Sequence, residues 1–466
     1  MNGADNAAQT VNVLQNSTLY VAAGVTKNAS IVLNGGSTGE PLGQLRLEAN
    51  ANWAGPVTLS GTMTGGSGYV GANTGTGTIS GTISETGGSR TLSKIGAGTI
   101  VVTNTANSYT GGTQIISGPL QIGALNVLGA ATGTLSFTGP GGLITGTSAG
   151  ASGTFVYPIA FLASSGTLNT NGNSVTFSGL ISGTGNLFKA GSGTATITGS
   201  NAFSGNTTVS AGVLSLGNVN ALQASILTLS GGTTTFVVPG TNTYNLGGLS
   251  GTGNLDMGAN SLALLASRAS TYSGTLAGTG SLTKSGTAVV TLSASNSYSG
   301  GTQLNAGTLT INNLGAIGTG TVTYTGTSTL RTGTSGTIAN AFAINSGVTG
   351  TFDTQAFANT LSGPISGLGT FAKMGTGTLT LPSSNAYTGG TRLSAGVLAI
   401  GDVGALGTGT FTYAGSSTLR TGTSGTIANP FAINTGVTAT FDTQGFANTL
   451  SGLISGTGTG TLVKTG

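Results

Sequence analysis

A three-part repeat runs through this 466-residue chain and returns every 89 to 95 residues. Its first part is a lysine followed closely by glycine. Five of the six lysines in the chain occupy this position, namely Lys94, Lys189, Lys284, Lys373 and Lys464. Self-similarity at a fixed period is typical of proteins in which one small unit stacks on the next.

The second part is an Asn-x-aromatic-x-Gly turn that comes 12 or 13 residues after the lysine. Its asparagine and aromatic residues are Asn107 and Tyr109, Asn201 and Phe203, Asn296 and Tyr298, and Asn385 and Tyr387. The third part is a glycine nine residues past each aromatic, followed by an apolar alternation such as Gly118-Pro-Leu-Gln-Ile.

Short runs of alternating apolar and polar residues fill the repeat, for example 99–102 and 378–381. Gly, Asn and Ser bound these runs, and no helical periodicity is sustained, so the chain is predicted to be all-β. Such short strands need neighbours that repeat the same apolar pattern. We therefore expect a parallel β-helix, or β-solenoid, with about 20–24 residues per coil and on the order of 20 coils in one elongated rod. A β-propeller is the main alternative, and a single Trp argues against its aromatic blade motifs.

Taken together, the blocks Leu92–Val102, Asn107–Gln114 and Gly118–Ile122 resemble the autotransporter passenger-associated strand repeat. Four complete copies are present, with a stub at Lys464. The resemblance implies a right-handed parallel β-helical passenger, exported and displayed or released at the surface of a Gram-negative-type bacterium. It divides the chain into an N-terminal β-helical or capping region, 1–91, and repeat units over 92–466.

Composition argues against catalysis. The chain has no His, no Cys and only 8 acidic residues, which excludes Ser/His/Asp and Cys/His pairs and His or Cys metal cages. The G-x-S-x-G sequence at 146–150 is therefore interpreted as a turn. Asp353 and Asp442 occupy equivalent places, and Asn169 stands there in an earlier unit, which predicts a turn-bonding role. We expect no catalytic residues, no cofactor and no metal.

The repeat motif supplies the candidate contact residues. The lysines are interpreted as solvated turn residues in preference to a cationic ladder for anionic glycans. The aromatic residues are expected to cover a bend in the core, with the asparagines bonding neighbouring backbone, in preference to stacking on sugar rings.

Charge and hydropathy limit the other partners. A net charge of +4 cannot form a basic stripe for nucleic acid, and no apolar run reaches the ~18 residues of a membrane helix. The first residues lack the pattern of a secretion signal. The leading hypothesis is a non-enzymatic surface stalk or adhesin. The alternatives are a carbohydrate-binding or ice-binding solenoid and a self-assembling filament, with host-cell or matrix glycans or self-association as partners.

Overall fold

The computed structural model describes residues 9–35, 43–60, 66–146, 151–162, 164–456 and 458–466. The chain forms two compact units, Met1–Val238 and Pro239–Gly466. All regular structure in the described residues is β-strand, which confirms the all-β prediction. Among these residues no helix is long and apolar enough to cross a membrane. Most of the G-x-S-x-G sequence, residues 147–150, lies outside the described part of the chain.

The first unit contains short strands, most of them three to five residues long. They are β1 Thr10–Val13, β2 Leu19–Val21, β3 Thr26–Lys27, β4 Ser30–Leu33, β5 Leu45–Leu47, β6 Asn52–Trp53, β7 Val57–Leu59, β8 Ser67–Gly71, β9 Thr76–Ile79, β10 Ile83–Glu85, β11 Thr91–Ile95, β12 Thr99–Val102, β13 Thr113–Ile115, β14 Gly118–Ile122, β15 Leu135–Phe137, β16 Gly141–Thr145, β17 Gly153–Phe155, β18 Ile159–Phe161, β19 Gly166–Asn169, β20 Ser174–Phe177, β21 Ile181–Gly183, β22 Leu187–Ala190, β23 Thr194–Ile197, β24 Thr207–Val209, β25 Val213–Leu216, β26 Leu222–Leu229 and β27 Thr233–Phe236.

The second unit is built in the same way. Its strands are β28 Thr243–Gly251, β29 Leu255–Asp256, β30 Ser261–Leu264, β31 Ser270–Tyr272, β32 Leu276–Ala277, β33 Leu282–Lys284, β34 Val290–Leu292, β35 Thr302–Leu304, β36 Gly307–Ile311, β37 Val322–Tyr324, β38 Ser328–Thr332, β39 Gly336–Ile338, β40 Phe342–Ile344, β41 Thr349–Asp353, β42 Asn359–Leu361, β43 Ile365–Gly367, β44 Thr370–Met374, β45 Thr378–Leu381, β46 Thr391–Leu393, β47 Val397–Ile400, β48 Phe411–Tyr413, β49 Ser417–Thr421, β50 Gly425–Ile427, β51 Phe431–Ile433, β52 Thr438–Asp442, β53 Asn448–Leu450, β54 Ile454–Gly456 and β55 Thr461–Thr465.

The strands of the first unit pair in parallel ladders that climb from turn to turn. One ladder runs β11-β13-β15-β18-β21, and a second runs β12-β14-β16-β19-β22-β24-β26. A third, β17-β20-β23-β25-β27, forms another face. Each strand therefore pairs with its equivalent one turn away.

In the second unit, β28 pairs in parallel with both β30 and β31. One ladder continues from β30 through β33, β35, β37 and β40 to β43. The other continues from β31 through β34, β36, β38, β41 and β44. A separate ladder, β39-β42-β45-β47-β49-β52-β55, forms a further face.

The length of one turn follows from the residues that pair across it. Thr243 pairs with Ser261, 18 residues on, and Ile31 pairs with Val57, 26 residues on. The chain makes about 21 turns in all, which confirms the predicted parallel β-solenoid.

Each strand buries alternate side chains, and the register stacks them into columns. Val290, Leu309, Leu330 and Phe352 pair in succession, and all four are buried. The residues beside them along the strands are mainly Thr, with Arg331 next to Leu330. A strand of three residues buries too little apolar surface to hold alone, so the columns provide the core that its neighbours complete.

Candidate functional site

The repeat lysines lie inside the solenoid, in the apolar columns. Lys94 pairs with Val70 on one side and Ile115 on the other, and its side chain is fully buried. Lys189, Lys284 and Lys373 are also buried, with at most 1% of each exposed. The lysine stem therefore fills one layer of the core.

The ammonium group of each buried lysine reaches a corner of the turn, where backbone carbonyls surround it. Lys94 Nζ donates to the carbonyl oxygens of Ile95, Gly96 and Ser117 at 3.0, 2.8 and 2.9 Å. Two acceptors come from its own turn and one from the next. Because a lysine ammonium has three protons, this set satisfies all of them.

The same three bonds recur in the other units. Lys189 Nζ donates to carbonyls at 2.8 to 3.0 Å, and Lys284 Nζ to carbonyls at 2.9 to 3.2 Å. Lys373 Nζ has a fourth partner, Thr354 Oγ1 at 3.0 Å. Lys464 is exposed, and its Nζ donates to the carbonyl of Gly466.

The glycine of the third block completes the corner. Gly396 has φ of +67°, and a Cβ on it would lie 2.5 Å from the carbonyl oxygen of Gly377. The carbonyl of the residue just before it, Ala395, accepts from Lys373 Nζ at 3.2 Å. The close approach of two successive turns at this glycine thus brings the third carbonyl to the lysine. Gly118, Gly212 and Gly307 have φ of +65°, +64° and +65° in the equivalent places.

Burial determines the electrostatics of the corner. Because water is removed from the ammonium group, the pKa values of Lys94, Lys189, Lys284 and Lys373 fall to about 8. At Lys373 the nearby Asp353 carboxylate opposes that fall. An amine with this pKa is a potential nucleophile, but the buried side chain is closed to substrates.

The interpretation of these lysines as solvated turn residues is wrong, and their burial argues equally against a cationic surface ladder. Strand alternation contains the signal that was missed. In Leu92-Ser-Lys94 and Leu282-Thr-Lys284 the lysine stands two residues after a core leucine, so a strand places both on the same face. The long stem can fill a core layer while its charged end reaches the carbonyls at the corner.

The asparagine of the second block links three successive turns. Asn201 Oδ1 accepts from the backbone N–H of Ile181 at 2.8 Å, and its Nδ2 donates to the carbonyl of Ala221 at 3.1 Å. Asn107, Asn296 and Asn385 make the corresponding pair of bonds to the turns before and after them. The side-chain amide thus continues the backbone ladder where the strand is interrupted.

The aromatic residue two positions later is buried in every complete repeat. Tyr109, Phe203, Tyr298 and Tyr387 each have at most 1% of their surface exposed. The hydroxyls of Tyr298 and Thr302 share a hydrogen bond of 2.5 Å. In the unit with Phe203, which lacks a phenol, Thr207 Oγ1 instead bonds Ser225 Oγ at 2.8 Å. Buried rings of this kind offer no face to a sugar.

The acidic positions make turn bonds, as predicted. Asp353 Oδ1 accepts from the backbone N–H of Gln355 at 2.9 Å, and its Oδ2 pairs with Arg331 Nε at 3.0 Å. Asn169 Oδ1 accepts from the N–H of Asn171 at 2.9 Å. Within the described residues no three His, Cys, Asp or Glu side chains come together as metal ligands.

These observations define the class of protein as a parallel β-solenoid whose repeats join turns through a buried lysine, a bridging asparagine and a left-handed glycine. The family model described as "Passenger-associated-transport-repeat" matches residues 92–122, 187–216, 282–311 and 371–400. Each match contains one lysine corner, one asparagine turn and one glycine. The chain therefore carries four of these repeats, and the resemblance seen in the sequence is confirmed.

A curated relative extends the comparison beyond the repeats. The chain is 32% identical over 300 residues to the protein named "Adhesin BmaC autotransporter" of Brucella suis biovar 1 (strain 1330). The similarity covers 58% of this chain and 8% of that adhesin, so the chain spans a small part of its relative. No solved structure matches the chain.

Proposed function

We propose that this chain is part of an exported, non-enzymatic passenger, acting at the bacterial cell surface as a structural stalk or adhesin. The observation that carries the proposal is the coincidence of four passenger-associated repeats with four lysine corners. Similarity to part of a protein named as an autotransporter adhesin supports the same assignment.

The chemistry of the fold suits a surface scaffold. Successive turns are joined by backbone ladders and by the side-chain bonds at each corner, so strength comes from repetition. Charged residues make up only 4% of the chain, and outward strand positions carry mainly Thr, Ser and Ala. Without His or Cys, the chain lacks the usual acid, base and nucleophile sets of hydrolases. Loops along such a scaffold supply the adhesive contacts.

Surface display provides the first test. The chain is fused between a signal peptide and the translocator barrel of a characterised autotransporter and expressed in a Gram-negative host. We expect intact cells to expose the chain to antibody and to external protease, and to adhere to immobilised matrix more than cells carrying an unrelated passenger of equal length. Absence of surface exposure would overturn the proposal, and adhesion no greater than that control would overturn the adhesin role and leave the stalk.

The non-enzymatic part is tested separately. Purified chain is incubated with a panel of polysaccharides, esters and peptides, and products are followed by mass spectrometry. No turnover above a heat-denatured sample is expected, whereas catalysis that scales with protein concentration would contradict this part.

A further inference from the structure

An uncharged groove lies on one face of the first unit, across four successive strands. Its floor and ends are a single outward column, in which Pro119 pairs with Gly142, Gly142 with Thr167 and Thr167 with Phe188. Three strand spacings of about 4.8 Å make this column roughly 14 Å long. The groove holds about 390 Å³.

Two of its residues depart from the repeat. Phe188 precedes the repeat lysine, where the other copies have Ser93, Thr283, Ala372 and Val463. Pro119 follows the repeat glycine, where the other copies have Val213, Thr308 and Val397. The solenoid therefore forms without an aromatic or a proline at these places.

Exposure separates Phe188 from the motif aromatics. Its side chain is 37% exposed, whereas the aromatic of each Asn turn is buried. Gly142, between the two ends of the column, has no side chain to fill the floor. Phe188 shares the groove with Pro119 and Pro140, and together they form an apolar patch of the kind that lines ligand-binding grooves.

The lining determines what kind of ligand fits. None of the lining residues carries a charge, which disfavours ionic ligands. Polar residues stand beside the apolar ones, namely Ser165, Thr167 and Asn169. The side-chain oxygen of Asn169 accepts a hydrogen bond from the backbone N–H of Asn171, and the NH₂ group of Asn169 takes no part in that bond. Apolar surface with a few hydrogen-bonding groups suits a ligand with both a C–H face and hydroxyl edges.

We propose that this groove binds a neutral oligosaccharide, with the Phe188 ring and Pro119 packing against sugar C–H faces and Thr167 and Asn169 bonding sugar hydroxyls. This inference deepens the proposed adhesive function and rests on it. It places glycan contact where two successive repeats depart from the pattern, at Pro119 in the first and Phe188 in the second, away from the buried Tyr and Asn residues of the motif.

The test is binding of purified chain to neutral gluco-oligosaccharides, cellohexaose, laminarihexaose and maltohexaose, by titration calorimetry and saturation-transfer NMR. We expect saturable binding of at least one of them, with aromatic-proximal sugar protons receiving the strongest transfer. Phe188→Thr should weaken binding by about tenfold or more, the equivalent of about 1.4 kcal/mol. Gly142→Val, which fills the floor, should do the same.

The repeat supplies matched controls. Thr already stands at the position equivalent to Phe188 in another unit, as Thr283, so Phe188→Thr is compatible with the fold. Thr283→Ala alters the equivalent surface and should leave binding unchanged. Circular dichroism and thermal unfolding check that each variant is folded.

Three outcomes would overturn the inference: no binding to any of the three neutral sugars, equal binding by wild type and both groove variants, or a preference for an anionic oligosaccharide or an apolar peptide. The display experiment separates this failure from that of the proposed function. If the cells adhere and Phe188→Thr does not change their adhesion, the proposed binding in the groove alone is refuted. If the purified chain binds sugar but the cells do not expose the chain at their surface, the surface role alone is refuted.

Discussion

At the scale of single residues, the repeat uses a buried cation as a connector. A chain with 4% charged residues places four of its six lysines in its core. Burying an ammonium group is costly unless its protons are bonded, and here three carbonyls from two successive turns bond them. The lysine stabilises the corner because it donates hydrogen bonds to backbone carbonyls at a place where strand pairing is interrupted.

Replacing Lys94 by Met tests this role through its pH dependence. Met keeps the volume of the stem but leaves the carbonyls of Ile95, Gly96 and Ser117 without their donor. We expect a loss of about 1–3 kcal/mol in the free energy of unfolding at pH 7. The measurement is denaturant unfolding of wild type and Lys94→Met at pH 7 and pH 9.

The difference should grow with pH. The folded pKa of Lys94 is about 8, below the ordinary value near 10.4, so between these values the folded protein binds fewer protons than the unfolded chain. The cost of burying the charge is therefore present below pH 8 and relieved above it. By pH 9 this relief raises the free energy of unfolding by about 1 kcal/mol for each buried lysine. Lys94→Met lacks the contribution of Lys94, so its deficit relative to wild type is larger at pH 9 than at pH 7. Lys27→Met, outside the repeat, is the control, and a difference independent of pH would contradict the mechanism.

The bridging asparagines make a second prediction at the residue scale. Asn201→Leu removes the acceptor for the Ile181 N–H and the donor to the Ala221 carbonyl, leaving both without the partner that Asn201 supplies. We expect a loss of about 2–4 kcal/mol and faster hydrogen exchange at Ile181. Asn206→Leu is the control, because it alters another asparagine of the same turn. Equal effects of the two variants would show that the bridge has no special role.

At the scale of elements, the glycine of the third block determines how closely two turns approach. Glycine can be required at such a position for two separate reasons, the left-handed backbone conformation and the close contact with the neighbouring turn. Gly396 and Gly436 have φ of +67° and +73°, but only Gly396 meets neighbouring carbonyls, while a Cβ on Gly436 has nothing within 4 Å. The pair therefore distinguishes backbone strain from the packing of one turn on the next.

Gly396→Ala is expected to destabilise the fold more than Gly436→Ala. Both variants incur the strain of a left-handed alanine, about 1 kcal/mol, and only Gly396→Ala also pushes Ala395 and its carbonyl away from Lys373. Chemical denaturation measures both. A double-mutant cycle of Gly396→Ala with Lys373→Met should be non-additive, because the two changes disrupt one corner. Additive losses, or equal costs for the two alanines, would count against this coupling.

At the scale of the whole molecule, stability is built by repetition, and this explains what the sequence could predict. The period, the short alternating strands and the turn residues were sufficient for the parallel solenoid and for about 20 turns, because each strand's partner is its own equivalent one turn away. The inward orientation of the lysines could be predicted from the Leu-x-Lys pattern, but only if strand alternation is applied to a charged residue as it is to apolar ones. Phe188 required knowledge of which outward positions align across β14, β16, β19 and β22, and that alignment depends on turns of unequal length.

Removing one whole repeat is the prediction that belongs to this scale. Thr329–Asn340 and Thr418–Asn429 have the same sequence, so deleting Leu330–Thr418 removes one period of 89 residues and joins Thr329 to Leu419 without a new junction sequence. Because each turn contacts mainly its neighbours, the shortened chain should keep its parallel ladders. We expect an unchanged β-sheet spectrum, a cooperative thermal transition and a denaturant m-value reduced in proportion to the lost surface. The control deletion Leu330–Thr408 is ten residues shorter, which displaces the following strands by about half a turn, so that they no longer stand beside their equivalents in the turn before. That variant should aggregate or lose its transition, and if both deletions behave alike, register between equivalent turns does not determine the fold.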